Sequence, residues 1–274
     1  MLCSLIVTTY NRPDALGAVL RGLRIQTDRA FEIIVADDGS TEDTAALLAQ
    51  YTASGELSVR HFWQPDRGFR AGAARNQAVR MAKGEYLVFL DGDCIPRPGF
   101  VAAQRQLAEK GCFVAGNRIL LNPALTSTLL AQGTPCHTWS LARWGRVRWG
   151  GGINRLLPLL RLPGDAWRKT HPQRWQGART CNLAIWRNDL LAVNGFDERY
   201  TGWGHEDADL VVRLIRAGVQ RKDGRFATTV LHLWHAENDR SHLADNERRL
   251  TEILSATTTR AVLGLDQYGL DQYS

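Results

Sequence analysis

No stretch of this 274-residue chain is apolar for long enough to cross a bilayer, which takes about 20 residues. The first apolar run, Leu2–Val7, has no basic segment before it and meets polar Thr8, Thr9 and Asn11 at once. It is therefore too short to serve as a signal peptide. A later run from Leu156 to Leu162 is interrupted by Pro158 and Arg161. Paired cysteines are also lacking. Cys3, Cys94, Cys112, Cys136 and Cys181 follow no paired spacing, and an odd number argues against a complete disulfide framework, so a reducing cytoplasm is the expected setting. The one tandem repeat, five residues beginning at Gly264 and again at Gly269, is too short for a solenoid. Acidic residues are scarce in one region only: from Trp139 to Arg179 the single acid is Asp165.

What is present is a chain that is 44% hydrophobic with a formal net charge of +6 and a pI near 9.3. That is enough apolar material for one large α/β domain or two fused lobes. The mild basic excess suits phosphate-bearing ligands, anionic lipid or nucleic acid without choosing among them.

Leu2–Val7 reads as a buried strand. Asn11-Arg12-Pro13 then opens a helix whose Leu16, Val19, Leu20 and Leu23 fall on one stripe. Phe31–Ala36 is a second strand, and Ser40 with Asp43 resembles a capping box leading into a second helix. A third strand at Leu57–Phe62, a helix over Gly72–Met81 and a fourth strand at Tyr86–Leu90 repeat the alternation. Strands alternating with helices imply a mainly parallel, Rossmann-like sheet. Ligands of such sheets sit beyond the carboxyl ends of the strands. After Pro98 the pattern loosens, and Ala131–Arg179, rich in Trp and Arg, reads as an insertion or flap. Regularity returns with Cys181–Trp186, a helix through Leu210, Val211, Leu214 and Ile215, a strand over Thr228–Trp234 and a polar helix near Asn246–Ala256. The expected organisation is a ligand-binding sheet half over 1–98, a connecting region with the Trp/Arg-rich insertion over 99–180, a second lobe over 181–239 and a helical tail over 240–274.

Three acidic groups fall at the ends of predicted elements. Asp91-Gly92-Asp93 can address one hard cation through two carboxylates separated by one small residue, or can be a simple Asp-Gly turn. Asp37-Asp38-Gly39-Ser40 can accept hydrogen bonds from a base or ribose, or can be a loop with a helix cap. Glu206 and Asp207 sit beside Trp203 at the mouth of a helix. An aromatic face packs on a pyranose and a neighbouring carboxylate can take a proton from a hydroxyl, whereas the alternative is a charge cluster favoured by the helix dipole. His232 and His235 close the apolar strand with spacing suited to a nitrogen ligand for an ion held at Asp93.

Taken in order, Thr8-Thr9-Tyr10-Asn11-Arg12, Asp37-Asp38-Gly39-Ser40, Ala74-Arg75-Asn76 and Asp91-Gly92-Asp93 resemble the serial motifs of family-2 glycosyltransferases with the GT-A fold. The stretch from Gly202 to Asp207 and the pair His232 and His235 are similar to second-lobe motifs of β-galactosyltransferases and chondroitin-type polymerases. His205 stands where a glycine is usual, and the Trp/Arg-rich middle has no counterpart.

The resemblance implies a GT-A fold with a fused acceptor-binding lobe, and inverting transfer from a UDP-sugar (a hexose or N-acetylhexosamine) to a glycan hydroxyl. By position it implies that Asp38 reads the uracil, that Thr8, Tyr10, Arg12 and Arg70 surround base and diphosphate, and that Asp91 lies near the ribose. Asp93, with His232 or His235, would bind Mn²⁺ or Mg²⁺. Asp207 would be the general base with Glu206 beside it, and Trp203 and His205 would meet the acceptor. A glycan or lipid-linked glycan of envelope polysaccharide or lipopolysaccharide assembly would be the acceptor, with a peripheral contact to anionic membrane through the tryptophans and arginines of 139–179. That same segment is alternatively a substrate flap.

Two other classes compete. A nucleotidyltransferase making nucleotide sugars would carry a Gly-rich loop and a basic residue where Thr8–Pro13 stands. A nucleic-acid-binding module is suggested by Arg143, Arg146, Arg148, Arg155 and Arg161 interleaved with Trp139, Trp144 and Trp149, but would have no use for the acids, so no nucleic-acid partner is expected.

Overall fold

The computed structural model describes residues 1–236 and 239–269. The opening half follows the predicted alternation: β1 (Cys3–Thr9), α1 (Pro13–Arg24), β2 (Phe31–Asp37), α2 (Glu42–Ser54), β3 (Val59–Trp63), α3 (Ala71–Met81) and β4 (Tyr86–Asp91). There follow β5 (Cys94–Pro96), α4 (Phe100–Leu107), β6 (Cys112–Ala115), β7 (Arg118–Leu120), α5 (Pro123–Ala131) and α6 (Leu141–Trp149). The remainder comprises β8 (Asn182–Trp186), α7 (Arg187–Ala192), α8 (Glu206–Arg216), β9 (Gln220–Asp223), β10 (Val230–His232) and α9 (Leu243–Ser255).

Seven strands form the main sheet in the order β3-β2-β1-β4-β8-β6-β9. β1, β2, β3 and β4 are mutually parallel, and β8 runs antiparallel between β4 and β6. A small second sheet, β5-β10-β7, stands beside it. The period-two alternation of a strand divides the core. Leu5, Val7, Ile33, Val35, Val88 and Leu90 face Leu16 and Leu20 of α1, while Ile6, Ile34, Leu87 and Phe89 face Ala74 and Ala78 of α3 and Leu210 and Leu214 of α8. With both faces covered, the site is confined to the strand ends.

Local chemistry departs from the predictions at three places. Ser40 does not cap α2, whose N-cap is Thr41 without a side-chain bond; the Ser40 hydroxyl instead accepts the Asn11 N–H at 2.8 Å. The strand predicted over Thr228–Trp234 shortens to β10, because only Val230–His232 finds partners on β5 and β7. The segment read as an irregular flap contains α6, capped by the Ser140 side chain. Its Trp144 is fully buried, and Trp139 packs against it with ring centroids 5.0 Å apart. These two rings belong to the core with Leu129, Ile153 and Leu159, so they are not a stacking platform for bases or a membrane. The first copy of the tandem repeat forms a helical turn that seats buried Leu265 and gives the Tyr268 hydroxyl to Glu198 at 2.9 Å. Residues 270–273 of the second copy lie outside the described residues.

Candidate active site

Parallel pairing of β1 with β2 and β4 sets Thr9 opposite Asp37 and Thr8 opposite Asp91, so both acidic turns leave the sheet at one level. Each turn depends on a glycine. A side chain at Gly92 would come within 2.9 Å of the Thr8 carbonyl, and Gly39, at φ +98°, lies against the backbone of Asp66. Asp37 is structural: fully buried, it accepts the Ser40 N–H at 2.8 Å and lies 3.0 Å from His61 Nε2. Asp38 is 3% exposed, with one oxygen on Gln64 Nε2 and the other on the Arg70 N–H, both at 2.6 Å. Burial pushes its carboxyl above the usual range despite these donors. Tyr10 stands half exposed with its hydroxyl on Asp66 at 2.8 Å. The Arg70 guanidinium is tied to the Pro65 carbonyl. Arg12 turns to its own helix and pairs with Asp14 at 3.0 Å.

The centre of the site is Arg75, which sequence reasoning quoted in a motif but gave no role. It sits on α3, buried among alanines, at 4% exposure. Its Nε donates to Thr8 Oγ1 at 3.0 Å, Nη1 reaches Glu206 Oε1 at 3.3 Å and Nη2 reaches Asp91 Oδ1 at 3.3 Å. A charged residue on the apolar stripe of a helix was the signal, since a buried guanidinium demands partners. Burial raises Asp91 to about 6 against the pull of Arg75, with Asp93 and Asp207 adding repulsion. Burial and the neighbouring Asp207 raise Glu206 to about 7.

Asp207 follows in the first turn of α8 and accepts the hydroxyl of Thr180, a residue sequence reasoning also missed, at 2.6 Å. That bond engages one carboxylate oxygen, Oδ1. Trp203, half-buried, carries the Arg240 guanidinium 5.4 Å from its ring centre. His205 is the N-cap of α8 at φ 72°, ψ −7°. This is the left-handed region that glycine enters at no cost and other residues enter at about 1–2 kcal/mol. The backbone thus explains why glycine is usual there.

The small sheet supplies the last group. Pairing of His232 with Cys94 across β10 and β5 brings the imidazole Nε2 to 3.6 Å from Asp93 Oδ1, and His235 Nε2 lies 3.4 Å from Asp93 Oδ2. Burial lowers the pKa of His232, with Arg118 and His235 acting in the same direction and Asp93 against it. Neutral imidazole is the form that ligates a metal. Asp93, Cys94 and His232 have donor atoms within 4.8 Å of one another. A carboxylate with an imidazole facing each of its two oxygens is a donor set of the kind that suits a divalent ion such as Mn²⁺.

Residues 4–154 match the profile of glycosyl transferase family 2, and residues 166–236 match that of the N-terminal domain of galactosyltransferase. The chain belongs to glycosyl transferase family 2. This family-2 member is 30% identical to validoxylamine A glucosyltransferase of Streptomyces hygroscopicus subsp. jinggangensis (strain 5008), over 96% of its own length and 65% of the relative's. It is 32% identical to the hyaluronan synthase of Pasteurella multocida over 78% of its length, but only 23% of the synthase's. The family-2 chain thus spans about two-thirds or less of these relatives. Among solved structures it is similar to S. aureus TarS 1-349 in complex with UDP, with TM-score 0.63, 14% identity and coverage of 97% and 68% of the two chains. It is also similar to the mannosyltransferase PcManGT from Pyrobaculum calidifontis in complex with GDP-Man and Mn²⁺, with TM-score 0.57, 18% identity and coverage of 90% and 60%. The fold is therefore GT-A.

Proposed function

We propose that this chain transfers a sugar from a nucleotide-sugar donor, a UDP-sugar in the first instance, to a hydroxyl of a glycan acceptor with inversion at the anomeric carbon. The observation that carries the reading is the convergence, beyond the strand ends, of Asp91, Glu206 and Asp207 around buried Arg75, with the Asp93–His232–His235 set alongside. Asp207 is the general base: Thr180 engages Oδ1 and so orients the carboxylate, whose Oδ2 takes the acceptor proton as the hydroxyl oxygen attacks. Glu206, paired with Arg75, holds the first turn of α8 in place. Asp38 with Gln64 and Tyr10 with Asp66 form the wall for the base, and Thr8 and Asp91 lie toward ribose and diphosphate. Trp203 and His205 border the acceptor. Asp93 with His232 and His235 would hold Mn²⁺ or Mg²⁺, which when bound supplies positive charge against the departing nucleoside diphosphate. TarS structures with UDP and UDP-GlcNAc, and PcManGT with GDP-Man and Mn²⁺, support this class of donor and ion.

The test is nucleotide release over a panel of UDP, GDP and dTDP sugars, with and without Mn²⁺. Release from a UDP-sugar that needs Mn²⁺ and is abolished in Asp93→Ala is expected. Release indifferent to Mn²⁺ and to Asp93 would refute the metal assignment, and no release from any donor would refute the class.

Among the described residues no helix is long and apolar enough to cross a membrane. A lipid-linked acceptor would meet the surface of 141–162, where Trp149 is 94% and Leu157 67% exposed beside exposed Arg146, Arg148 and Arg155. Tryptophan and basic side chains favour an anionic interface. Sedimentation with anionic vesicles should be lost in Trp149→Ala, Leu157→Ala and at high salt; no sedimentation at low salt would leave the segment as an acceptor-binding surface.

A further inference from the structure

Two buried thiols stand beside the acids, and the proposed transfer gives neither a role. Cys94 is on β5 at 0% exposure, and Cys181, at 4%, is the residue before β8. The antiparallel ladder between β4 and β8 ends with Leu90 against Asn182. Its continuation sets Asp91 opposite Cys181, and the turn through Gly92 returns Cys94 to the same place. One oxygen of Asp91 and the two sulfurs lie within 4.8 Å of one another. Around a tetrahedral zinc, with Zn–S about 2.3 Å and Zn–O about 2.0 Å, two sulfurs and an oxygen stand about 3.5–3.8 Å apart. The three donors therefore need only small side-chain movements to close on an ion. Arg118 Nη1 donates to Cys181 Sγ at 3.6 Å, the kind of outer contact that steadies a ligating thiolate. Hard cations prefer the oxygen and imidazole donors at Asp93, whereas paired thiolates select softer ions.

We propose that Asp91, Cys94 and Cys181 form a site for a thiophilic divalent cation, Zn²⁺ or Cd²⁺, beside the Asp93–His232–His235 set and sharing no donor with it, whose occupation opposes donor binding. Each thiol gives its proton to solvent as its sulfur binds the ion. The ion draws the Asp91 carboxylate from the Arg75 guanidinium, and this opposing effect rests on the reading of Asp91 as a donor-side residue.

Co²⁺, titrated into the full chain as a spectroscopic substitute for zinc, should give thiolate-to-cobalt charge-transfer absorption that saturates at one equivalent and is displaced by Zn²⁺. The absorption should fall by about half or vanish in Cys94→Ala and in Cys181→Ala, because each removes one of two sulfurs, and should persist in Cys136→Ala. Absorption that is absent, or intact in Cys181→Ala, overturns the site; the second outcome moves the ion to Asp93, Cys94 and His232. Cadmium NMR of the unaltered protein guards against misfolded variants: a resonance typical of two sulfur ligands supports the site, and one typical of oxygen and nitrogen ligands alone overturns it. UDP affinity with Mn²⁺ is measured first without Zn²⁺, so that an error in the donor reading shows as no binding at all. One equivalent of Zn²⁺ should then weaken UDP about ten-fold or more, a change of about 1.4 kcal/mol or greater. Unchanged affinity overturns the opposing effect.

Discussion

At the scale of single residues the proposed base and the cap beside it make separable predictions. A base acts on the acceptor in the transition state and not on the bound nucleotide. Asp207→Asn should therefore lower kcat by on the order of 10²–10⁴-fold while leaving UDP affinity within about two-fold. Steady-state turnover with calorimetry of UDP binding checks both halves. If turnover survives in Asp207→Asn and collapses in Glu206→Gln, the two roles are exchanged. His205 holds a left-handed backbone at φ 72° without glycine's freedom. His205→Gly should therefore stabilise the fold by about 0.5–1 kcal/mol, net of glycine's greater unfolded-chain entropy. A thermal melt is sufficient, and a lower Tm would mean that the contacts of the imidazole outweigh the strain.

At the scale of elements, α6 distinguishes the two faces of the Trp/Arg-rich segment. Trp144 has 0% exposure and Trp149 has 94%, five residues apart on one helix. Trp144→Ala opens a cavity in the core and should cost about 3–5 kcal/mol by denaturant unfolding. Trp149→Ala should change stability by no more than about 0.5 kcal/mol. Comparable losses in both would mean that the exposed ring is covered in solution. The helix was not legible because its interleaved Trp and Arg do not form the usual apolar stripe. Its Trp144 shares the core with Leu129, Ile153 and Leu159, which flank the helix in sequence but belong to no pattern of its own. The predicted strand at Thr228–Trp234 failed for a related reason: apolar sequence marks what is buried, while strand length depends on how many partner residues β5 and β7 offer.

At the scale of the whole molecule, Arg75 joins the sheet half to the helix that carries the proposed base through Thr8, Asp91 and Glu206. Arg75→Ala leaves buried carboxylates without their counter-cation and should destabilise by on the order of 3–5 kcal/mol near pH 8. Glu206 is raised from 4.5 to about 7 in the fold, so the folded protein binds the extra proton. Its contribution is fully present below about 4.5 and is lost as pH rises through about 7. The Arg75→Ala penalty should therefore shrink at pH 5, where Glu206 is largely neutral; an equal loss at both pH values would assign Arg75 to packing on Phe196 alone, whose ring centre lies 5.5 Å from the guanidinium carbon. The sequence by itself determined the alternating strand–helix half, the family, and the acids at the strand ends, because apolar periodicity and ordered motifs are local properties. The tertiary structure alone decided that Arg75 faces Glu206, 131 residues away, and that Thr180 meets Asp207. Each of those depends on which side chains a seven-stranded sheet and its helices bring within hydrogen-bonding reach, and spacing along a chain carries no record of distances across a fold.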